Sequence, residues 1–374
     1  MSIVKANTYQ DASGGSNAVF SGVANPPNSM GFRNRIINGN MVIDQRNAGA
    51  AVTITNTAAN TFMTDRFFVY GSQASKFSAQ QNAGSVTPPA GFTNYLGITS
   101  LSAYSITSGD VFVLGQNVEG FNAADFAWGT ASAQTVTLSF WVRSSLTGTF
   151  GGVVRNSANN RSYPFSYTIS SANTWEQKVI TIAGDTTGTW VTNNGIGLRV
   201  HWGLGVGSTT SGTAGAWAAS EFNSATGATS VVGTNGATFY ITGVQLEAGT
   251  NASAFEQIDY GRELMLCQRY FKQINGSINF TPFASGVVRN PATNFRASLT
   301  YMTMRTAPTV TFGGAIYVAY GAGDNANITL SATNAGTDGA LLDCAIGAGA
   351  TTGNGGVLYT NNNAAGLVNI SAEL

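Results

Sequence analysis

Short segments in which apolar and polar residues alternate recur along most of the chain. The clearest is 135–143, where Val136, Leu138, Phe140 and Val142 lie on one face of the predicted strand. A period of two residues is typical of a strand with one buried face. Further apolar segments bounded by turn residues predict strands at 67–70, 111–114, 178–182, 197–202 and 238–246, and a hairpin at 35–43 around Asn38-Gly39.

One segment has helical periodicity instead. Asp259 is a candidate N-cap for a helix over 260–271, in which Leu264, Cys267 and Phe271 have the i, i+3, i+7 spacing of a buried face. No repeat of 20–50 residues is present, which argues against a solenoid. Beyond the helix, strands are predicted at 307–312, 315–320, 327–331 and 367–371.

These patterns predict an all-β fold in four parts. They are an extended N-terminal arm at 1–30, a jelly-roll β-sandwich at 31–262, a linker helix at 263–274 and a small β-sandwich at 275–374. The arm is rich in turn residues and contains Pro26 and Pro27, which lack a backbone donor. We expect contacts with neighbouring chains to order this arm.

The low charge of the chain narrows its possible functions. Charged residues make up 9% of the sequence, and 17 basic residues balance 17 acidic ones. That balance excludes a broad basic surface for nucleic acid, and no apolar stretch reaches the length of about 18 residues that predicts membrane insertion. The N-terminal segment lacks the apolar core of a signal peptide, so we expect synthesis in a cytoplasm. A net charge near zero favours association into an assembly.

The residues of common catalytic and metal sites are scarce. With one histidine, His201, and two cysteines, the chain cannot form a Cys₄ or Cys₂His₂ zinc site, and we expect no cofactor. The glycine-rich segment 203–207 is not followed by a helical pattern, which argues against a nucleotide loop. We predict no catalytic residues. A polysaccharide-degrading enzyme remains an alternative, because carboxylate pairs cannot be recognised from spacing alone.

Tryptophans are candidates for stacking on sugars. Trp175, Trp190, Trp202 and Trp217 fall in a region rich in Gly, Thr and Asn. An indole ring can bury the apolar face of a sugar without any charge. Most of these rings are expected in the core, whereas Trp190 and Trp217 lie in loop-like segments and are predicted to bind glycan.

Aromatic and amide residues also cluster near the C-terminus. Tyr317, Tyr320, Tyr359 and Asn361 are predicted to bind glycan there, since adaptable binding surfaces combine such groups. Tyr317 and Tyr320 are three residues apart and cannot share a strand face, so one of them is expected in the core. Binding by neutral groups is expected to depend only weakly on salt.

Several motifs, in order along the chain, carry a resemblance to known proteins. They are 34–46 followed by 64–67, the run 131–148, the run 241–249 continuing to 266–270, and 304–310 with the closing 371–374. In this order they resemble a family of bacteriophage tail fibre proteins, over roughly residues 30–374.

The resemblance implies a structural protein of the virion tail, assembled in the host cytoplasm. It implies a homotrimer, docked through residues 1–30 to other phage tail or baseplate proteins, with a distal β domain that binds host cell-surface polysaccharide. The alternative is a structural component without a receptor role, such as a head fibre, a decoration protein or a baseplate protein.

The middle module resembles carbohydrate-binding jelly rolls, which often hold a structural calcium. Here Asn40-Met41 and Thr242-Gly243 stand where that resemblance would place acidic residues. We therefore predict no metal site.

Overall fold

A computed structural model describes residues 32–275, 281–290, 292–320, 323–325, 328–347, 350–360 and 366–374. The predicted N-terminal arm and Asn361 lie outside these residues. The all-β prediction is confirmed: the described residues form strands, one α-helix and three short 3₁₀ helices, at Ala83–Ser85, Gly120–Asn122 and Ala124–Phe126.

The first block of strands forms a sandwich of two six-stranded antiparallel sheets. Sheet A has the order β1-β4-β5-β14-β7-β10, and sheet B has the order β2-β3-β6-β11-β8-β9. A short parallel pair, β12-β13, forms a separate two-stranded sheet that packs on sheet B. The strands are β1 Val52–Thr53, β2 Thr61–Phe62, β3 Phe67–Gly71, β4 Phe77–Gln81, β5 Leu96–Ser100, β6 Val111–Glu119, β7 Val136–Ser144, β8 Gly148–Asn156, β9 Ser162–Ile169, β10 Glu176–Ile182, β11 Ile196–Val206, β12 Ser211–Gly212, β13 Ser224–Ala225 and β14 Thr238–Ala248.

The alternation of β7 places its apolar face in the core, as predicted. The side chains of Val136, Leu138, Phe140 and Val142 are fully buried, and the inward side chains of sheet B complete the same cluster. Each side chain of this size contributes about 1.5–3 kcal/mol through burial.

The second block forms a smaller unit with its own core. Its strands make a three-stranded sheet, β15-β24-β18, and a seven-stranded sheet, β20-β19-β23-β16-β17-β22-β21. Phe295, Leu299, Val318 and Ile370 are among the residues of this separate core. The strands are β15 Phe271–Asn275, β16 Pro282–Arg289, β17 Asn294–Thr300, β18 Thr309–Gly313, β19 Ile316–Tyr320, β20 Gly323–Asn325, β21 Leu330–Thr333, β22 Gly339–Ala345, β23 Gly355–Thr360 and β24 Leu367–Ser371.

The helix α1, Tyr260–Gln268, is capped as predicted but is shorter than predicted. Asp259 accepts a hydrogen bond from the Arg262 backbone N–H at 3.0 Å. The prediction of a helix over 263–274 is wrong at its C-terminal end, because Phe271–Asn275 pairs with Leu367–Ser371 as a strand. Pairing with a distant strand satisfies the backbone groups that a longer helix would have paired locally.

The predicted hairpin at 35–43 is wrong as well. Asn38 and Met41 both have a φ of 59°, and the segment is a turn without strand pairing. The Asn38 side chain accepts from the Ile43 N–H at 2.9 Å and donates to the carbonyls of Ile43 and Asp65, each at 2.9 Å. The hydrogen bonds of this buried amide take the place of the backbone hydrogen bonds that a hairpin would make. Asparagine side chains commonly compete with regular backbone pairing in this way. The strand expected at 327–331 also lies further on, at Leu330–Thr333.

A cluster of buried ions joins the C-terminus to the first sandwich. Arg66 is 1% exposed and donates to the carboxylate of Glu373 and, at 2.6 Å, to the Asn117 carbonyl. Arg46 donates to the other Glu373 oxygen at 2.9 Å. The Arg66 guanidinium also lies 3.6 Å from the centre of the Tyr270 ring. The Glu373 carboxylate of the second unit thus pairs with two arginines of the first sandwich.

The buried Asp110 carboxylate anchors the loop before β6. It accepts hydrogen bonds from Ser72 Oγ, Tyr104 OH, and the N–H and Oγ1 of Thr107, at 2.7–2.9 Å. Burial would raise the pKa of Asp110, but these hydrogen bonds outweigh it and lower the pKa to about 2. A depressed pKa contributes stability that is present above the unfolded value near 4 and is lost as the pH falls towards 2.

Replacing Asp110 with Asn is therefore expected to lower the free energy of unfolding by about 2 kcal/mol at pH 7. The difference between the wild type and the variant should shrink as the pH falls from 4 to 2. Denaturant unfolding at several pH values measures it. A difference that stays constant over that interval would contradict the role of the Asp110 charge.

Candidate ligand-binding cleft

A cleft lies on the outer face of sheet B. On β11, Leu198, Val200 and Trp202 point into the core. Alternation therefore places Arg199 and His201 on the opposite face. The cleft has a volume of about 300 Å³, and its lining residues are Asn60, Phe68, Tyr70, Val111, Val113, Arg155, Arg199, His201, Thr210, Glu221 and Asn223.

Gly115 makes room for the aromatic floor of the cleft. Phe68, Gly115 and His201 lie side by side on β3, β6 and β11. The rings of Phe68 and His201 meet edge to face, with centroids 5.6 Å apart. A Cβ atom at residue 115 would lie 2.6 Å from His201 Cδ2 and 3.0 Å from Phe68 Cζ. Glycine at this position therefore lets the two rings meet.

Two more glycines allow the segment 211–225, which forms one wall of the cleft, to pack on sheet B. A Cβ atom at Gly151 or at Gly203 would lie 2.5 Å from Ser224 Oγ. Without those side chains, the segment 211–225 lies directly on the sheet and carries Glu221 and Asn223 to the cleft. Gly203 belongs to the glycine-rich segment noted in the sequence, and it lies inside β11.

Two arginines lie directly opposite each other in the cleft. Arg199 of β11 is paired in register with Arg155 of β8. Arg155 Nη1 donates to Glu221 Oε1 at 2.8 Å, and Arg199 Nη2 lies 3.5 Å from the Ser157 carbonyl. Burial, together with the charge of Arg199, lowers the pKa of Arg155 to about 10. Like charges directly opposite on neighbouring strands destabilise a sheet.

His201 contributes an uncharged polar side chain to the cleft. The residue is 2% exposed, and neither ring nitrogen has a hydrogen-bond partner. Burial and the charges of Arg155 and Arg199 hold the pKa of His201 well below its ordinary value. A contact with the Asn223 side chain favours the charged form, but burial and the two arginines outweigh it. The imidazole is therefore neutral at pH 7.

Unpaired polar atoms are concentrated at this cleft. Buried atoms without a partner include Arg155 Nε, Arg199 Nε, both nitrogens of His201 and Thr210 Oγ1. All four residues line the cleft. A buried polar atom without a partner costs about 1–3 kcal/mol. These groups make the cleft the polar region of the outer face of sheet B, and bound water or a ligand is one way in which their hydrogen bonds are completed.

Trp190 and Trp217 lie elsewhere, at an aromatic cluster with Trp128. The centroid of Trp128 lies 4.7 Å from that of Trp190 and 5.3 Å from that of Trp217, and both pairs meet edge to face. The Trp217 Nε1–H donates to the Ala183 carbonyl at 2.7 Å, and that of Trp190 donates to the Thr187 carbonyl. Both rings are half-buried. A cavity of about 270 Å³ beside Trp128 and Trp190 adjoins the cluster, and glycan binding there stays a prediction.

The tyrosines of the second unit lie on two faces of its larger sheet. Tyr320 belongs to the core, whereas Tyr317 and Tyr359 are register partners whose rings stack at 5.8 Å. One of Tyr317 and Tyr320 is thus in the core, as predicted. Glycan binding at Tyr317, Tyr320 and Tyr359 also stays a prediction.

Motif reasoning did not find the cleft on sheet B. The alternation of 197–202 does place Arg199 and His201 on one face. However, nothing local shows that Arg155 lies opposite Arg199, or that residues 211–225 fold over them. Among the described residues, no group of three or more His, Cys, Asp or Glu could hold a metal ion.

Comparison with known proteins finds likeness only among solved structures. No family model matches the sequence, and no curated protein matches it. Within the part of the chain that the structure describes, no helix is long and apolar enough to cross a membrane.

The similar structures include carbohydrate-binding modules and a phage tailspike domain. The enzymatically active domain of bacteriophage CBA120 tailspike protein 4 is 11% identical, with a TM-score of 0.29; the match covers 58% of this chain and 21% of that one. A putative sugar-binding protein from Bacteroides thetaiotaomicron is 12% identical over 58% of this chain and 100% of its own, with a TM-score of 0.33. The family 11 carbohydrate-binding module from Clostridium thermocellum is 12% identical over 55% and 97%, with a TM-score of 0.27. All three TM-scores lie below 0.5, so this likeness carries no argument about function.

Proposed function

We propose that this protein binds a saccharide in the cleft on sheet B, as part of a phage tail fibre that adsorbs to host surface polysaccharide. The observation that carries saccharide binding is the composition of the cleft. It combines the half-buried ring of Tyr70 with the polar side chains of Arg155, Arg199, Thr210 and Glu221. A sugar ring has apolar C–H faces that suit an aromatic side chain and hydroxyls that suit such polar groups.

The place in a tail fibre rests on the motifs that resemble tail fibre proteins. The near-zero net charge favours an assembly in the same way. A homotrimer would present three clefts, and avidity would then raise a modest affinity per site. A structural component without a receptor role remains the second candidate. Labelling the protein on the particle by electron microscopy separates the two: a position on a fibre that extends from the tail supports adsorption, and a position on the head or in the baseplate contradicts it.

Replacing Tyr70 with Ala is expected to weaken saccharide binding by about tenfold, because it removes the aromatic surface on which the apolar face of the sugar would lie. The measurement is binding of the full chain to immobilised bacterial surface polysaccharides. Tyr260→Ala is the matched control, since Tyr260 is 63% exposed and lies outside the cleft. Retained binding in Tyr70→Ala with loss in Trp190→Ala or Tyr317→Ala would move the site to one of the surfaces predicted from sequence.

A further inference from the structure

The cleft on sheet B has an excess of positive charge. Its charged residues are Arg155, Arg199 and Glu221, since His201 is neutral. Two guanidinium groups therefore face one carboxylate. The two arginines are direct register partners, an arrangement that costs stability, and the Glu221 carboxylate is one anion shared between two cations.

Arg199 has the larger unused hydrogen-bonding capacity. Its closest polar contact is the 3.5 Å approach of Nη2 to the Ser157 carbonyl, which is at the limit for a hydrogen bond. Its Nε is buried without a hydrogen-bond partner. Guanidinium groups in this state are well suited to take a carboxylate in a two-pronged contact.

The cleft already contains one ion pair between an arginine and a carboxylate, that of Arg155 with Glu221. The carboxylate lies 2.8 Å from Arg155 Nη1, yet the Glu221 side chain is 51% exposed and belongs to the wall segment rather than to sheet B. The Glu221 carboxylate thus pairs with Arg155 from the solvent side of the cleft. Arg199 feels the charge of the same Glu221 but has no carboxylate of a described residue at ion-pair distance.

We propose that the saccharide bound in this cleft is acidic, with a sugar carboxylate that pairs with Arg199 beside Arg155. This inference rests on the proposed saccharide binding and adds the class of sugar, a uronic acid or another carboxylated sugar. The ring of Tyr70 would contact the sugar's apolar face. Binding of this kind weakens with added salt, unlike the binding predicted for the tyrosines of the second unit.

The test uses the full chain and two matched probes. The first is a set of uronate-rich bacterial capsular polysaccharides. The second is the same set after reduction of the carboxyl groups to alcohols, which keeps the sugar skeleton and removes the charge. We expect reduction to weaken binding by about 10- to 100-fold, the range for hydrogen bonds to charged groups. Added sodium chloride should weaken only the binding of the unreduced polysaccharides.

Two variants assign the effect to the cleft. Arg199→Gln should lower binding of the acidic polysaccharides to the level of the reduced ones, whereas Arg289→Gln, the same change at an exposed position in β16, should not. Glu221→Gln should strengthen binding of the acidic polysaccharides by several-fold, because it removes the carboxylate that competes for Arg155. Thermal unfolding confirms that each variant is folded.

The outcomes separate this inference from the function on which it rests. Equal binding of both probes by the wild type would overturn the acidic sugar and leave saccharide binding in place. An Arg199→Gln variant that still prefers the acidic polysaccharides over the reduced ones would also overturn the inference. Binding of neither probe would overturn the inference together with the proposed function.

Discussion

Replacing Glu373 with Ala is expected to lower the free energy of unfolding by about 3–5 kcal/mol, the cost of breaking a buried ion pair on one side. The Glu373 side chain is 7% exposed and bonds to both Arg46 and Arg66. Its loss leaves the 1% exposed Arg66 with the Asn117 carbonyl and the Tyr270 ring as its remaining contacts. Denaturant unfolding of the full chain measures the change.

The matched control for Glu373 is Asp338→Asn, an acidic residue of the same unit at an exposed position. Its effect is expected within about 0.5 kcal/mol, as for most surface substitutions. The Glu373 change should also let the second unit open from the first, so proteolysis near its boundary should accelerate. A Glu373→Ala protein as stable as the Asp338→Asn control would show that the arginines find other partners.

Replacing Trp202 with Ala is expected to cost about 3–5 kcal/mol, the range for a large aromatic side chain removed from a core. Trp202 is fully buried, and its ring meets Phe140 of the facing sheet edge to face at 5.5 Å. It therefore connects sheet A to sheet B directly beneath the cleft. Denaturant unfolding gives the loss of stability.

Trp202→Phe serves as the graded control, because it keeps an aromatic ring in place. The buried Nε1–H of Trp202 has no hydrogen-bond partner, so removing it breaks no hydrogen bond. We expect less than half of the loss seen with Ala. Equal losses in both variants would contradict the expectation that an aromatic ring at this position retains most of the stability.

Strand positions were predictable wherever the signal was local. In β7 every second residue is apolar, and the same residues are buried. The cap at Asp259 was predictable for the same reason, since an N-cap and its helix are neighbours in sequence. The all-β class and the linker position of the helix follow from these signals alone.

Long-range pairing decided what the local pattern could not. Helix α1 ends at Gln268 because the next residues pair with β24, about a hundred positions further on. The segment 35–43 is a turn because the side chain of Asn38 binds backbone groups of Ile43 and Asp65. Neither partner is visible in the periodicity of the segment itself.

The cleft could not be predicted from local patterns for the same physical reason, because it depends on contacts made in the tertiary structure. The sequence determined that Arg199 and His201 lie on one face of β11, because side chains alternate along any strand. Only the pairing of β8 with β11 sets Arg155 opposite Arg199, and only the packing of Ser224 against Gly151 and Gly203 brings Glu221 over them. The charge of the cleft thus arises from contacts between segments that are remote in sequence, and no local pattern encodes it.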